Sequence, residues 1–297
     1  RIMKFGTMAI VGCPNVGKPR LVNTIVNQKI AIVSDKPQTT RSRILGVAHL
    51  PEGQLALLDT PGLHRPWHQL NKRMVQAALD TVHDADLLAV MVDGRQKPGA
   101  GDREVIEQVF SLPDRSKNKP AFLLVNKIDL MSKPKMLPVI EAYRQLGEWD
   151  EIVPLSAKTG LNVDRLRDLV FARLSEHEGA YDEDFLTDQS LRRLAAEIVR
   201  EKVLEQTEKE LPYAVAVKID EFQEKGRLFS IAASIVVERD GQKAIIIGKS
   251  GGRLKEIGTA ARLDLERELG VKVFLDLHVK VRGAWRDNER MLIELGY

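Results

Sequence analysis

Met8-Ala9-Ile10-Val11 is a short apolar run that ends in Gly12-Cys13-Pro14-Asn15-Val16-Gly17-Lys18, and the stretch from there to about Val26 has helical periodicity. A strand that turns through two glycines directly into a helix strongly limits the fold. Gly-x-x-x-x-Gly-Lys in that setting predicts a loop whose backbone N–H groups, together with the helix N-terminus, converge on anionic oxygens. Gly12 and Gly17 permit the tight path. Lys18 is expected to reach the β- and γ-phosphates of a bound nucleotide. Pro19 stands where such a loop calls for Ser or Thr, and Arg20 follows it.

The next 150 residues alternate strand and helix patterns. Residues 44–50 and 54–58 read as strands joined by a turn at Pro51-Glu52-Gly53. Further buried strands are expected at Leu87–Val92, Phe122–Val125 and Ile152–Leu155, with amphipathic helices around 70–82, 101–111, 137–147 and 162–174. This alternation predicts an α/β fold with a doubly wound, mostly parallel sheet. Ligands of such sheets lie beyond the carboxyl ends of the strands. Three further segments fall at those ends. In Asp59-Thr60-Pro61-Gly62, the Asp suits magnesium and the Gly62 N–H suits a γ-phosphate. In Asn126-Lys127-Ile128-Asp129, the carboxylate of Asp129 can accept from the N1–H and 2-amino group of guanine. Adenine lacks that donor pair, and a buried group left unpaired rejects the wrong partner by about 10⁴–10⁵. Ser156-Ala157-Lys158 can offer a backbone N–H to the guanine O6. Between the first two segments, Pro37-Gln38-Thr39-Thr40-Arg41 is expected to carry a Thr to the metal, with Thr40 favoured over Thr39.

Beyond about Ser175 the periodicity fades into a polar, acidic stretch. The expected division is a nucleotide-binding domain at 1–178, a linker at 179–187 and a smaller α+β domain at 188–297. In the last of these, a long helix is expected from Asp188 (as N-cap) to about Thr207. Strands follow at Tyr213–Ile219 and Leu228–Val237 with a turn at Glu224-Lys225-Gly226, and a last strand at Val271–Val281. Ile247-Gly248-Lys249-Ser250-Gly251-Gly252-Arg253-Leu254-Lys255-Glu256-Ile257 looks like the core of a KH domain, whose Gly-x-x-Gly turn clamps about four nucleotides. Ile247, Gly248, Lys249, Ser250, Gly251, Arg253 and Lys255 are the candidate RNA-binding residues. Ile245, Ile247, Leu254 and Ile257 suit an apolar groove for bases. Residues 243–282 hold nine Lys/Arg against five Asp/Glu, a local excess that favours phosphate contact.

Taken together these motifs resemble the Era family of GTPases across nearly the whole chain. Gly-x-Pro-Asn-Val-Gly-Lys, Pro-Gln-Thr-Thr-Arg, Asp-Thr-Pro-Gly-Leu-His and Asn-Lys-x-Asp all stand in this sequence. So do Glu210-Leu211-Pro212-Tyr213, Val279-Lys280-Val281 and the terminal Leu295-Gly296-Tyr297. The resemblance implies a P-loop GTPase domain followed by a type II KH domain. The protein would bind GTP and GDP with Mg²⁺ and hydrolyse GTP. It would bind the 3′ end of 16S rRNA and act in assembly of the 30S ribosomal subunit as a monomer. A peripheral contact with the inner face of the cell membrane is also implied. Nucleotide-contacting positions would be Gly12, Cys13, Pro14, Asn15, Val16, Gly17, Lys18, Pro19, Arg20, Asp59, Thr60, Pro61, Gly62, Leu63, Asn126, Lys127, Asp129, Ser156, Ala157 and Lys158. Lys18, Thr40 and Gly62 would act on the γ-phosphate. Thr40 and Asp59 would hold magnesium, and Asn15 maps to a potassium ligand of related GTPases.

The chain departs from the family at Pro19 and Arg20, where the family has Ser and Thr. Proline has no hydroxyl for the metal and no N–H for a phosphate. It also disfavours helical geometry at Lys18. One charge-assisted hydrogen bond is worth about 1.5–3 kcal/mol, and misaiming Lys18 would cost as much again. The sum, roughly 3–6 kcal/mol, is about 10²–10⁴ in affinity for the metal-bound state. Leu63 sits where many GTPases place a water-orienting Gln, so slow turnover is expected on that ground too. The expectation is a chain that folds, binds GTP weakly and hydrolyses it poorly. The rival is a non-hydrolysing RNA-binding scaffold that docks on the ribosome. An ATP-dependent kinase conflicts with Asp129.

Composition excludes little. Of 297 residues, 43% are hydrophobic, and the net charge of +3 is too small to argue for nucleic acid alone. The single Cys13 rules out an internal disulfide and suits a reducing, cytoplasmic setting. The first residues lack the apolar core of a secretory signal. His64 and His68 are expected as surface histidines, and Trp67, Trp149 and Trp285 as packing residues. Met8, Met74 and Met91 are expected in the core, and Asp102-Arg103-Glu104 in a solvated first helical turn.

Overall fold

The computed structural model describes residues 2–36, 38–63, 68–112 and 119–297. The chain forms two compact units, one of residues 1–33, 40–66 and 72–188, the other of 34–39, 67–71 and 189–297. Among the described residues, the first unit holds a seven-stranded sheet. Its elements in chain order are β1 (Ile2–Val11), α1 (Lys18–Val26), β2 (Ile44–Leu50), β3 (Gly53–Asp59), α2 (Gln69–Asp84), β4 (Leu87–Asp93), α3 (Ala100–Phe110), β5 (Ala121–Asn126), α4 (Lys133–Arg144), β6 (Glu151–Pro154), α5 (Val163–Phe171) and β7 (Ser175–Glu178). The strand order is β2-β3-β1-β4-β5-β6, with β2 antiparallel to β3 and the rest of that path parallel.

The inner strands are buried at every position in β3, β4 and β5. A sheet covered on both faces demands apolar residues of both parities. The side chains sort by period two. Met8, Ile10, Leu87, Ala89, Met91, Phe122 and Leu124 pack with Leu21, Val22 and Ile25 of α1 and Leu166 and Val170 of α5. Val11, Leu88, Val90, Val92, Leu123 and Val125 pack on the opposite face with α2, α3 and α4. Carboxyl ends of β1, β3, β5 and β6 therefore carry Gly12, Asp59, Asn126 and Ser156 to one edge.

The polar stretch after α5 is ordered against the sheet rather than loose. β7 pairs antiparallel with the first half of β1, from Ile2↔Glu178 to Phe5↔Ser175. Residues 179–187, read above as a linker, cluster with the first unit. The Gln54 side chain accepts from the Ala180 N–H (2.9 Å) and donates to the Tyr181 carbonyl (2.5 Å), and the Val47 N–H donates to Leu186 O at 2.8 Å. Tyr181 stacks on Phe185 at 5.0 Å between ring centroids. Two aromatics in an otherwise polar segment supply its anchor.

The second unit contains α6 (Leu191–Glu205), α7 (Leu211–Ala214), β8 (Ala216–Lys225), β9 (Leu228–Val237), α8 (Asp240–Ile247), α9 (Gly252–Leu269), β10 (Lys272–Val281) and α10 (Glu289–Glu294). β8 and β9 form an antiparallel hairpin turning at Gly226 (φ 60°), and β10 adds to β9 in parallel. Ile198, Val199 and Val203 of α6 and Ile257, Ala261 and Leu265 of α9 close the core over Ile231, Ala233 and Ile235. Two boundaries differ from the sequence expectation. Ser190, not Asp188, caps α6, its side chain accepting from the Arg193 N–H. Tyr213 lies in the short helix α7 rather than a strand, because Pro212 starts a turn that the apolar pattern hides. Met8, Met74 and Met91 are buried. Trp285 is fully buried and donates its indole N–H to Ala214 O at 2.9 Å.

Candidate nucleotide and RNA sites

α1 begins at Lys18 with Gly17 as its N-cap in the left-handed region (φ 107°). Pro19 is therefore accommodated inside the first turn, where an N–H has no intrahelical acceptor anyway. The backbone of Lys18 is helical despite Pro19, and the Leu21 N–H closes onto Gly17 O at 3.1 Å, so the helical geometry that Pro19 disfavours is kept. The missing hydroxyl and N–H remain. Lys18 Nζ curls back over the loop, donating to the carbonyls of Gly12 (3.0 Å) and Cys13 (2.9 Å). Arg20 is exposed.

Asp59 is fully buried. Its Oδ2 accepts from Thr40 Oγ1 at 3.1 Å, while Oδ1 has no hydrogen-bond partner among the described residues. Burial pushes the Asp59 carboxyl up and the Lys18 ammonium down, and each moderates the other. A buried carboxylate oxygen without a donor, beside a threonine hydroxyl, is the donor set a hard cation takes. The oxygens of Thr40 and Asp59 thus fit magnesium, and Pro19 has no hydroxyl to add. Thr39 points elsewhere, its hydroxyl on Lys36 O at 2.6 Å. Gly62 comes so close to the loop that a Cβ there would lie 2.8 Å from the Pro14 nitrogen. Leu63 is buried in the core and ties the segment to the loop through its N–H on Gly12 O (3.1 Å). Thr60 Oγ1 holds Ile10 O at 2.8 Å.

Asn126 joins the loops. Its buried amide donates to Val16 O at 2.7 Å and accepts from the Ala157 N–H at 2.9 Å. A Cβ on Gly17 would meet that amide nitrogen at 2.3 Å, which explains the second loop glycine. Lys127, at φ 67°, donates to Asn15 O (2.7 Å) and Asp93 Oδ2 (2.8 Å). Burial raises the Asp93 carboxyl, but hydrogen bonds from Arg95 and Lys127 outweigh it and hold the group at about 2. Asp93 escaped the sequence reading. Its one signal was its place at the end of β4, level with Asn126 across the sheet. Asp129 stands in a short 3₁₀ turn at 128–130 and is exposed, where the expected selectivity calls for burial, and Ser156 is buried with its Oγ accepting from the Thr159 N–H. Cys13 is half-buried. Pro37, His64 and Trp67 lie outside the described residues. His68 contacts Asp287 Oδ2 at 2.8 Å.

In the second unit, Gly248 (φ 72°) ends α8, Ser250 (φ 52°) and Gly251 (φ 77°) turn the chain, and α9 starts at Gly252. A Cβ on Gly248 would meet Arg253 Cβ at 2.7 Å. Lys249, Ser250 and Lys255 are exposed around the turn. The Arg253 guanidinium caps α8 by donating to Ile245 O at 2.7 Å. Of the expected groove residues, Ile257 is fully buried in the core, so it cannot face a base. Ile245 is exposed, and Ile247 and Leu254 are half-buried.

The first unit is thus a P-loop domain built for guanine nucleotides, and the second is a KH-type α+β unit. Residues 7–127 match the family described as 50S ribosome-binding GTPase, and residues 210–286 match the KH domain family. The chain is 48% identical to GTPase Era of Geobacter metallireducens over 99% of its length and 98% of the relative's. It is 45% identical to GTPase Era of Heliobacterium modesticaldum, covering 99% and 97%. Its structure is similar to that of Aquifex aeolicus Era bound to GDP·AlF₄⁻, and to that of Era in complex with MgGDPNP and nucleotides 1506–1542 of 16S ribosomal RNA. Both show a TM-score of 0.94, 41% identity and 99% coverage of each chain. The chain belongs to the GTPase Era family.

Proposed function

We propose that this chain binds the 3′ region of 16S rRNA through its Gly248–Gly251 turn and acts in assembly of the 30S ribosomal subunit. Its grip on the metal-bound GTP state would be weakened by Pro19. What supports the reading is the Era relative solved with MgGDPNP and a 16S rRNA segment, similar over 99% of both chains. Lys249 and Lys255 supply phosphate contacts, the glycines let the RNA backbone approach, and Ile245, Ile247 and Leu254 offer an apolar wall to unstacked bases. Asp129 reads guanine and the Asn126 clasp holds its loop. Thr40 and Asp59 would hold magnesium, which when bound neutralises charge developing on the phosphates. Asn15, exposed at the loop's turn, would take potassium. The protein would act as a cytoplasmic monomer. No described helix is long and apolar enough to cross a membrane, and a membrane contact rests on the resemblance alone.

With Lys18 helical, the loss at Pro19 is the hydroxyl toward the metal and the N–H toward a phosphate, each charge-assisted contact being worth about 1.5–3 kcal/mol or roughly 10- to 10²-fold in affinity. The experiment restores the family residues (Pro19→Ser with Arg20→Thr) in the full chain. It compares magnesium-dependent binding of a fluorescent GTP analogue and phosphate release with potassium and a 16S 3′-end oligonucleotide. A gain of that size in binding, with faster release, is expected. Tight magnesium-dependent binding by the unaltered chain would overturn the weakening. Phosphate release at background in both chains would favour the scaffold.

A further inference from the structure

Asp93 closes β4 beside the guanine loop, and its carboxylate is held from two sides. Arg95 reaches back to it as a fork, Nε to Oδ1 at 2.9 Å and Nη2 to Oδ2 at 2.7 Å. The Arg95 N–H adds a bond to Oδ1 at 3.1 Å. A bidentate guanidinium fixes a carboxylate in orientation as well as in place. Oδ2 also accepts from Lys127 Nζ at 2.8 Å, and the same ammonium donates to Asn15 O at 2.7 Å. The backbone takes part too, since the Gly94 N–H donates to Asn126 O at 2.8 Å. Asn15, Asp93, Arg95, Asn126 and Lys127 all belong to the first unit.

Two residues at this junction lie in the left-handed region without being glycine, Asn15 at φ 66° and Lys127 at φ 67°. Such a residue persists where its surroundings over-determine it. One ammonium holds the carbonyl of the first and belongs to the second. A lysine stem has much rotamer entropy to lose, and one neutral carbonyl does little to hold it. A carboxylate already locked by Arg95 needs no further ordering and confines that stem. The pair is largely shielded from water, with side-chain exposures of 23% for Lys127 and 11% for Asp93, so solvent screens it only in part. We propose that Asp93 is a positioning residue of the nucleotide site, which sets Lys127 on the Asn15 carbonyl and so keeps the guanine loop and the phosphate loop in fixed relation. Arg95 is its brace. The proposal rests on the reading of Lys127 as a nucleotide contact.

The test uses the full chain with Pro19→Ser, so that losses stay measurable, and a fluorescent GDP analogue at fixed magnesium. Dissociation constants are compared for this parent, Asp93→Asn, Lys127→Met and the double variant, with urea unfolding to check that each folds. Asp93→Asn is expected to raise the constant by about three- to tenfold. In the Lys127→Met background the same change is expected to move it by less than about 1.5-fold, because the group it acts through is gone. A carboxylate with a merely structural role would weaken binding by the same factor in both backgrounds. That result would overturn the proposal, as would an unchanged constant in Asp93→Asn, and either leaves the nucleotide site standing. Binding by Lys127→Met equal to the parent's would remove Lys127 from the site and the proposal with it. A parent that does not bind GDP would overturn the nucleotide reading itself. If Asp93→Asn does not fold, Arg95→Gln decides, at a side chain 52% exposed. A loss of about twofold in the parent that vanishes beside Lys127→Met supports the brace, and no loss, or equal losses in both backgrounds, refutes it.

Discussion

Replacing Asn126 by alanine tests the nucleotide site at its joint. The side chain makes two buried hydrogen bonds, to Val16 O and from the Ala157 N–H. Each is worth about 1 kcal/mol net, and the orphaned partner costs about 1–3 kcal/mol if water cannot reach it. Both partners lie in buried segments, so the loss should be roughly 2–4 kcal/mol, a large share of a typical domain's margin. The phosphate loop and the 156–158 loop would then move independently. GDP and GTP should weaken together by about 10- to 10²-fold, because the clasp touches neither phosphate nor metal. Gly17→Ala attacks the same contact from the opposite side, its Cβ 2.3 Å from the Asn126 amide. The double variant should be clearly less damaged than the sum. Urea unfolding with amide-exchange readout on β5 and α1, paired with nucleotide titration, measures both quantities. A stability change under about 0.5 kcal/mol, or GDP and GTP affected by different factors, would refute the reasoning.

Further outcomes follow from other contacts. Asp93→Asn should lower stability by about 1–2 kcal/mol at neutral pH. The folded carboxyl lies below its unfolded value, so the wild-type advantage is fully present above about pH 4 and vanishes as pH falls through about 2. Chemical unfolding across that range checks it. Burial first, and Asp102 second, push the Cys13 thiol up to about 12. At pH 8 its thiolate is about a thousandfold scarcer than that of an unperturbed cysteine, and iodoacetamide should react slowly until urea exposes it. Gly248→Ala combines a positive φ with a clash, whereas Gly251→Ala has open space and strain alone. The second should cost about 1 kcal/mol and the first distinctly more, read by thermal melting, with weaker oligonucleotide binding in both.

The sequence made the nucleotide-binding half legible where local chemistry and strand ends coincide. Gly12, Asp59, Asn126 and Ser156 stand where the alternation places them, and the Gly248–Gly251 turn adopts the positive φ values its glycines permit. What stayed hidden depends on partners distant in the chain. β7 is a polar four-residue strand, exposed at every position, that exists because β1 offers it an edge. Asp93 gains meaning only beside Lys127. Ile257 shares its apolar character with the groove candidates Ile245, Ile247 and Leu254, and its phase on α9 sends it to the core instead. Arg200 draws no notice in the sequence, since nothing local announces that it will be buried and donate to the 38–39 carbonyls.

The antiparallel stitch of β7 on β1 has a mechanical side. β1 is one continuous strand from Ile2 to Val11, and its far end becomes the phosphate loop. Tension arriving along residues 179–188 is met first by their anchors on Gln54 and β2, then by the pairing of 175–178 with 2–5. That load is sheared into the strand from which Gly12 emerges. A pull on the C-terminal half should therefore be felt at the sheet's central strand rather than absorbed in a slack tether.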